Sequence, residues 1–358
     1  MKQWIVNLDL VKVVAIILVI SVHFFNMTGF TDTNFCGFNI LFMLPLFWLA
    51  YSCIGLWIIL TGYLCGKDKF NKKYLYKLFR ILFSYILISI IIIIYENVIN
   101  HSGISVGMAI SQILSFKVNS YVWYVEMYVG LFLLIPFLNI LYDKLKKKQK
   151  KLLIIVLMIV SSLTATLYFF IPSRYYTSLF SDYWSLCFPL MFYFIGRYIK
   201  DYPLKISNLK KAGLILLILI IQSLLTYGIN YEKTFPLELK IGQIGAFYNL
   251  FTVAVAILLF SFIKDLSKIK LKKAVTTIAS VTFEMYLISN LFDNLLYGYI
   301  LKIKFEFIGN YLIHYLLAIS FVFITSFLTG FIINRFVGFV SRKLYPIYDK
   351  KFKCKFLN

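Results

Sequence analysis

The chain has 358 residues, of which 61% are hydrophobic and 15% charged, and it carries a formal net charge of +22. Soluble domains average about 25% charged residues, so a soluble globular protein is excluded and an all-α, polytopic membrane protein is expected. Five cysteines, an odd number with no C-x-x-C spacing, read as packing residues or free thiols rather than as metal ligands or disulfides.

Ten apolar runs follow one another, at 4–25, 38–64, 81–98, 121–141, 152–171, 183–199, 212–230, 241–263, 274–298 and 310–334. Each is long enough, at roughly 17–25 residues, to cross a bilayer as a helix. The first run lacks a small-x-small cleavage site and is expected to remain as helix one. It also contains Asp9, Lys12 and His23. Ionisable groups inside a membrane helix are costly, so a functional role is the default expectation for them. On a helix, Asp9 and Lys12 are i,i+3 neighbours, while Lys12 and His23 differ by about 20° in azimuth and about 16 Å in height. One face therefore carries an acid–base pair at its start and an imidazole further along.

The second run ends on Thr61-Gly62-Tyr63, and Lys77 and Arg80 open the third. Glu96 closes the third run, Glu126 opens the fourth, and the ninth carries Ser289, Asn290 and Asp293. His314 lies in the tenth run and His101 in a loop. One membrane domain is expected over 1–340, with a short basic cytoplasmic tail over 341–358.

Placing the N-terminus inside puts thirty of the 37 Lys and Arg residues on the cytoplasmic side, six on the opposite side and Lys12 within a span. That asymmetry is the positive-inside pattern, and it puts both termini in the cytoplasm of a multi-pass protein of the cell (inner) membrane. The lysines then set topology and meet anionic lipid headgroups, and nucleic acid drops out as a partner. In this topology Asp9, Lys12, Lys77 and Arg80 lie near the inner surface, whereas His23, Glu126, Asp293 and His314 lie in the outer half. Such a layout suits a phosphorylated donor entering from the cytoplasm and an acceptor activated deeper in the membrane. A histidine can take a proton from an attacking hydroxyl when a carboxylate holds its other nitrogen. Glu126 and Asp293 are both at a suitable depth for that, and the sequence does not choose between them. The competing class is a transporter or flippase of a lipid-linked glycan or acyl donor. The repeat symmetry and matched broken helices common in transporters are not visible in the sequence.

Several stretches resemble one family. Leu8-Asp9-Leu10-Val11-Lys12 followed by Ala15, Val19 and His23 resembles the first helix of the acyltransferase family 3 membrane proteins, whose usual signature there is Arg-x10-His. Thr61-Gly62-Tyr63 is similar to the family's Ser-Gly-Tyr/Phe helix end, and Tyr76-Lys77-Leu78-Phe79-Arg80 to its Arg-x-x-Arg loop. Trp123-Tyr124-Val125 with Pro136 resembles its Trp-containing span, and Thr282–Ile288 its Ser-Phe-Gly-Ile-Tyr-Leu-Ile run. The resemblance implies O-acylation of sugars of surface polysaccharides, with His23 catalytic and with Lys12, Lys77 and Arg80, beside Asp9, on the donor side. It implies acetyl-CoA or another acyl-CoA as co-substrate, with no permanently bound cofactor and no metal. Lys12 and Lys77 stand where the family has arginines, and Ser289 where it often has a second histidine. Lysine keeps the charge but lacks the planar fork for bidentate phosphate contact.

Overall fold

A backbone in lipid finds no water to bond, so a crossing segment has to satisfy its own amides, and a helix does so within one segment. The computed structural model describes residues 3–28, 30, 40–170, 179–231, 245–300 and 308–351; among them there is no strand. Cys36, Cys354, Pro172 and five of the six cations expected on the outer side, Arg174, Lys233, Lys240, Lys302 and Lys304, lie outside the described residues.

The helices are α1 (Gln3–Met27), α2 (Ile40–Tyr51), α3 (Cys53–Cys65), α4 (Lys72–Val98), α5 (Val106–Leu114), α6 (Trp123–Lys144) and α7 (Lys147–Leu167). They continue with α8 (Phe188–Asp201), α9 (Asn208–Tyr231), α10 (Leu250–Lys264), α11 (Lys272–Ala279), α12 (Thr282–Ile300) and α13 (Ile308–Lys351). Every apolar run contributes helix. Among the described residues seven segments are long and apolar enough to cross a membrane: Ile5–Met27, Leu41–Cys65, Lys72–Val98, Trp123–Lys144, Lys147–Leu167, Asn208–Gly228 and Gly309–Leu344. The pair α11–α12, bent by 70° at its junction, makes an eighth when taken together. The other two runs give shorter helices for local reasons. Pro189 sits at the start of α8, where its missing N–H costs nothing, after a 3-10 turn over Asp182–Cys187. α10 starts late because Asn249 caps it, accepting from Thr252 N at 3.0 Å.

The outward faces are apolar. On α4 the stripe Ile86, Ile90 and Ile94 is 40%, 43% and 56% exposed, and α13 exposes Leu316, Leu317, Ile324 and Leu328. Rows of bare aliphatic side chains at helical spacing are what a lipid-facing surface requires. Together these features make the protein an all-α, multi-pass membrane protein.

The chain divides into two compact units. The first comprises Met1–Cys65, Lys144–Ser280 and Leu296–Phe321; the second comprises Gly66–Asp143, Val281–Leu295 and Val322–Asn358. In the first unit α1 and α2–α3 are the most enclosed spans, with 72% and 78% of their apolar windows buried. α3 and α8 meet backbone to backbone at two glycines. A methyl on Gly62 would strike the carbonyl oxygen of Tyr193, and one on Gly196 that of Ile59. Polar side chains join the neighbouring helices: Trp48 Nε1 donates to Thr226 Oγ1 at 2.9 Å, and Leu250 N donates to Thr166 Oγ1 at 2.9 Å. Such bonds are favoured in lipid because nothing else there can satisfy the groups.

In the second unit Asn71 caps α4 by accepting from Tyr74 N at 2.9 Å. The Tyr74 ring stacks on Phe132 with centroids 4.2 Å apart, and its hydroxyl donates to the Phe132 carbonyl at 2.5 Å. α12 joins α4 where Ser84 Oγ donates to the buried Glu284 at 3.0 Å.

Candidate functional site

α1 is unbroken from Gln3 to Met27, so Asp9, Lys12 and His23 keep the helical register. Lys12 Nζ donates to Asp9 Oδ1 at 2.9 Å, with the side chains 31% and 11% exposed. Residues 9, 12, 16, 19 and 23 fall on one stripe of the helix. Ile16 and Val19 are buried at 0% and 3%, so exposure on this stripe returns only at Lys12 and at the half-buried His23, whose Nδ1 is shielded from solvent.

Both ends of α1 are fixed within the first unit. At the start, Asn7 Nδ2 donates to the carbonyls of Lys264 and Leu266, each at 2.8 Å, at the C-terminal end of α10. At the far end, Ser21 Oγ lies 2.8 Å from Tyr315 Oη and Thr28 Oγ1 lies 2.8 Å from Tyr311 Oη. Phe24 meets Tyr311 and Tyr315 edge-on at 5.2 and 5.3 Å, and Phe25 stacks on Tyr315 at 5.5 Å. His23 therefore projects from a segment held two residues before it, five residues after it, and by the rings of the two residues that follow it.

The remaining expected site residues belong to the second unit. Lys77 is paired with Asp68, at 3.0 and 3.1 Å to the two carboxylate oxygens, and its ammonium lies 5.7 Å from the centre of the Tyr74 ring. Arg80 lines a cavity of about 510 Å³ together with Tyr76, Asn334, Arg335, Gly338, Ser341 and Arg342. Glu126 is exposed in the first turn of α6, where the helix dipole favours an acid. Asp293 is fully buried on α12 and accepts from Tyr121 Oη at 2.8 Å. Tyr121 is itself placed by Tyr286, whose hydroxyl donates to the Tyr121 carbonyl. Of the other histidines, His101 is exposed in a left-handed turn (φ 50), and His314 Nδ1 donates to Asn310 O one turn back at 2.8 Å.

The structure thus brings Asp9 and Lys12 together, and it places Arg335 and Arg342 beside Arg80. Arg335 and Arg342 are seven residues apart, about 20° in azimuth on a helix, and this spacing is the signal that marks them as sharing a face. Among the described residues no group of three or more His, Cys, Asp or Glu side chains has the arrangement of a metal site.

The family model of the acyltransferase domain matches residues 5–335, from the first turn of α1 to deep within α13. No match was found among curated proteins or among solved structures. With an all-helical body, apolar outward faces and a family match over nearly its whole length, the chain belongs to the acyltransferase family 3 of membrane proteins.

Proposed function

We propose that the protein moves an acetyl or similar acyl group from acyl-CoA to a sugar hydroxyl of a cell-surface or lipid-linked glycan, with His23 as general base. The observation that carries this reading is the stripe on α1: a cation and a half-buried histidine on one continuous helix, in a chain of this family. In the reaction His23 takes the proton of the acceptor hydroxyl, whose oxygen attacks the thioester carbonyl. The C–S bond then breaks, and the coenzyme thiolate takes the proton back from the imidazolium. The separation of about 16 Å between Lys12 and His23 matches what a pantetheine arm must cover if cations hold the phosphates at its far end. Lys12, Lys77 and Arg80 serve that end, with Asp9 holding Lys12 in place. Glu126, exposed in the first turn of α6, and Asp293, buried and accepting from Tyr121, both stay candidates to support the imidazolium.

The same reading places both termini in the cytoplasm of the inner membrane. It takes ten crossings, with α8 and α10 as short spans beside the longer ones. A purified His23→Ala variant should insert and fold as the parent does, yet transfer no labelled acetyl from acetyl-CoA to glycan. Parent-like transfer by that variant would refute the mechanism.

A further inference from the structure

Three guanidinium groups line one cavity of the second unit: Arg80 from α4, and Arg335 and Arg342 from α13. Like charges gathered in one concavity raise its potential, and a bound anion relieves it. Among the described residues none of the three is in an ion pair. Glu284 is close enough to Arg80 to act on it through space, but that buried carboxylate is engaged by Ser84 and Asn334. Arg342 Nε donates to the Gly338 carbonyl at 3.1 Å, and Arg335 packs over the Phe331 ring at 5.1 Å, so both stems are held. A methyl at Gly338 would meet nothing within 4 Å, which leaves the wall open there. Ser341 is buried at 5% exposure, its carbonyl accepts from Tyr76 Oη, and its own hydroxyl has no hydrogen-bond partner among the described residues.

Planar forks with several N–H donors, a spare hydroxyl and, among the described residues, no carboxylate lining the cavity match the oxygens of a phosphate group. We propose that this cavity is a phosphate-binding site in which Arg335 and Arg342 join Arg80 to hold a phosphomonoester, phosphodiester or diphosphate. Two sources carry that chemistry: the phosphates of a soluble coenzyme, and the headgroup of an anionic phospholipid. Phe336 and Phe339, 50% and 51% exposed beside the arginines, offer apolar surface for the chains of a lipid. The inference goes beyond the transfer reading and depends on no step at His23.

The test uses the full chain purified in neutral detergent. Coenzyme A is titrated by calorimetry, and retention of phosphatidylglycerol is followed by native mass spectrometry. Arg335→Gln and Arg342→Gln should each weaken one of these ligands by about tenfold or more, the loss of a charge-assisted hydrogen bond. Weaker coenzyme A binding with unchanged lipid retention supports the site with a soluble ligand, and the reverse supports it with a headgroup. Should a glutamine variant lose helicity, Arg335→Lys and Arg342→Lys keep the charge, lose the fork, and are read in the same way. Parent-like binding of both ligands by all variants overturns the site. That outcome, alongside inactivity of His23→Ala, would leave the transfer reading standing.

Discussion

Lys12 and His23 stand eleven positions apart, and because α1 is continuous that distance in sequence is also a distance and an angle in space. Local periodicity made this pair legible in the sequence, along with the Asp9 contact one turn below. Arg335 and Arg342 were not legible in the same sense. Their meaning comes from meeting Arg80, which is far away in the chain, so on their own they look like cations that orient a helix end. Asp68 is a similar case, since its hold on Lys77 spans a loop. A further residue-level outcome concerns Asp265, outside the membrane segments. Burial pushes its carboxyl upward, but hydrogen bonds from Lys211 and Lys264 outweigh this and hold it below the ordinary carboxylate range. A carboxylate depressed in the folded state binds fewer protons there than when unfolded. Its contribution is complete above the unfolded value of about 4, and it disappears as pH falls through the lower folded value. Thermal unfolding in detergent should therefore show a shallower acid decline of Tm for Asp265→Asn than for the parent. Parallel curves would rule out this linkage.

Helix boundaries follow from capping and proline chemistry, which hydropathy does not weigh. The ten apolar runs locate the helical regions, but Pro189, Asn249 and the bend before Thr282 shorten or break three of them. At the other end of the chain, α13 continues beyond its apolar run to Lys351 although Gly338 and Pro346 lie within that stretch, so neither hydropathy nor helix propensity marks its end. Between elements, Asn7 has the clearest role. One side chain serves two carbonyls at the end of α10, groups that a helix terminus otherwise leaves without partners. Asn7→Ala should lower stability by about 1–3 kcal/mol, read as a drop in Tm in detergent. Because α1 would then be loosened at its start, acetyl transfer should fall as well while the helical content stays the same.

For the molecule as a whole, the distribution of cations carries the strongest forecast. The proposed ten-crossing topology puts thirty Lys and Arg residues on one side and six on the other, and it predicts that a C-terminal fluorescent protein glows in the cytoplasm. An alkaline phosphatase fused at the same point should stay inactive. An active phosphatase there would overturn the proposed orientation and, with it, the assignment of Lys12, Lys77 and Arg80 to the donor's side. The lipid-facing rows on α4 and α13 follow directly from composition, since a chain this apolar cannot hide all of its aliphatic residues.

The backbone contact between α3 and α8 has a consequence for movement. At Gly62 and Gly196 each helix offers a notch one residue wide, and the flanking positions, Thr61, Tyr63, Ile195 and Arg197, all carry side chains. Sliding either rod by a single residue would drive a Cβ into the facing main chain, so piston-like shear at this seam is blocked. The two rods travel together, and any rearrangement that admits a bulky acceptor has to pivot at another joint.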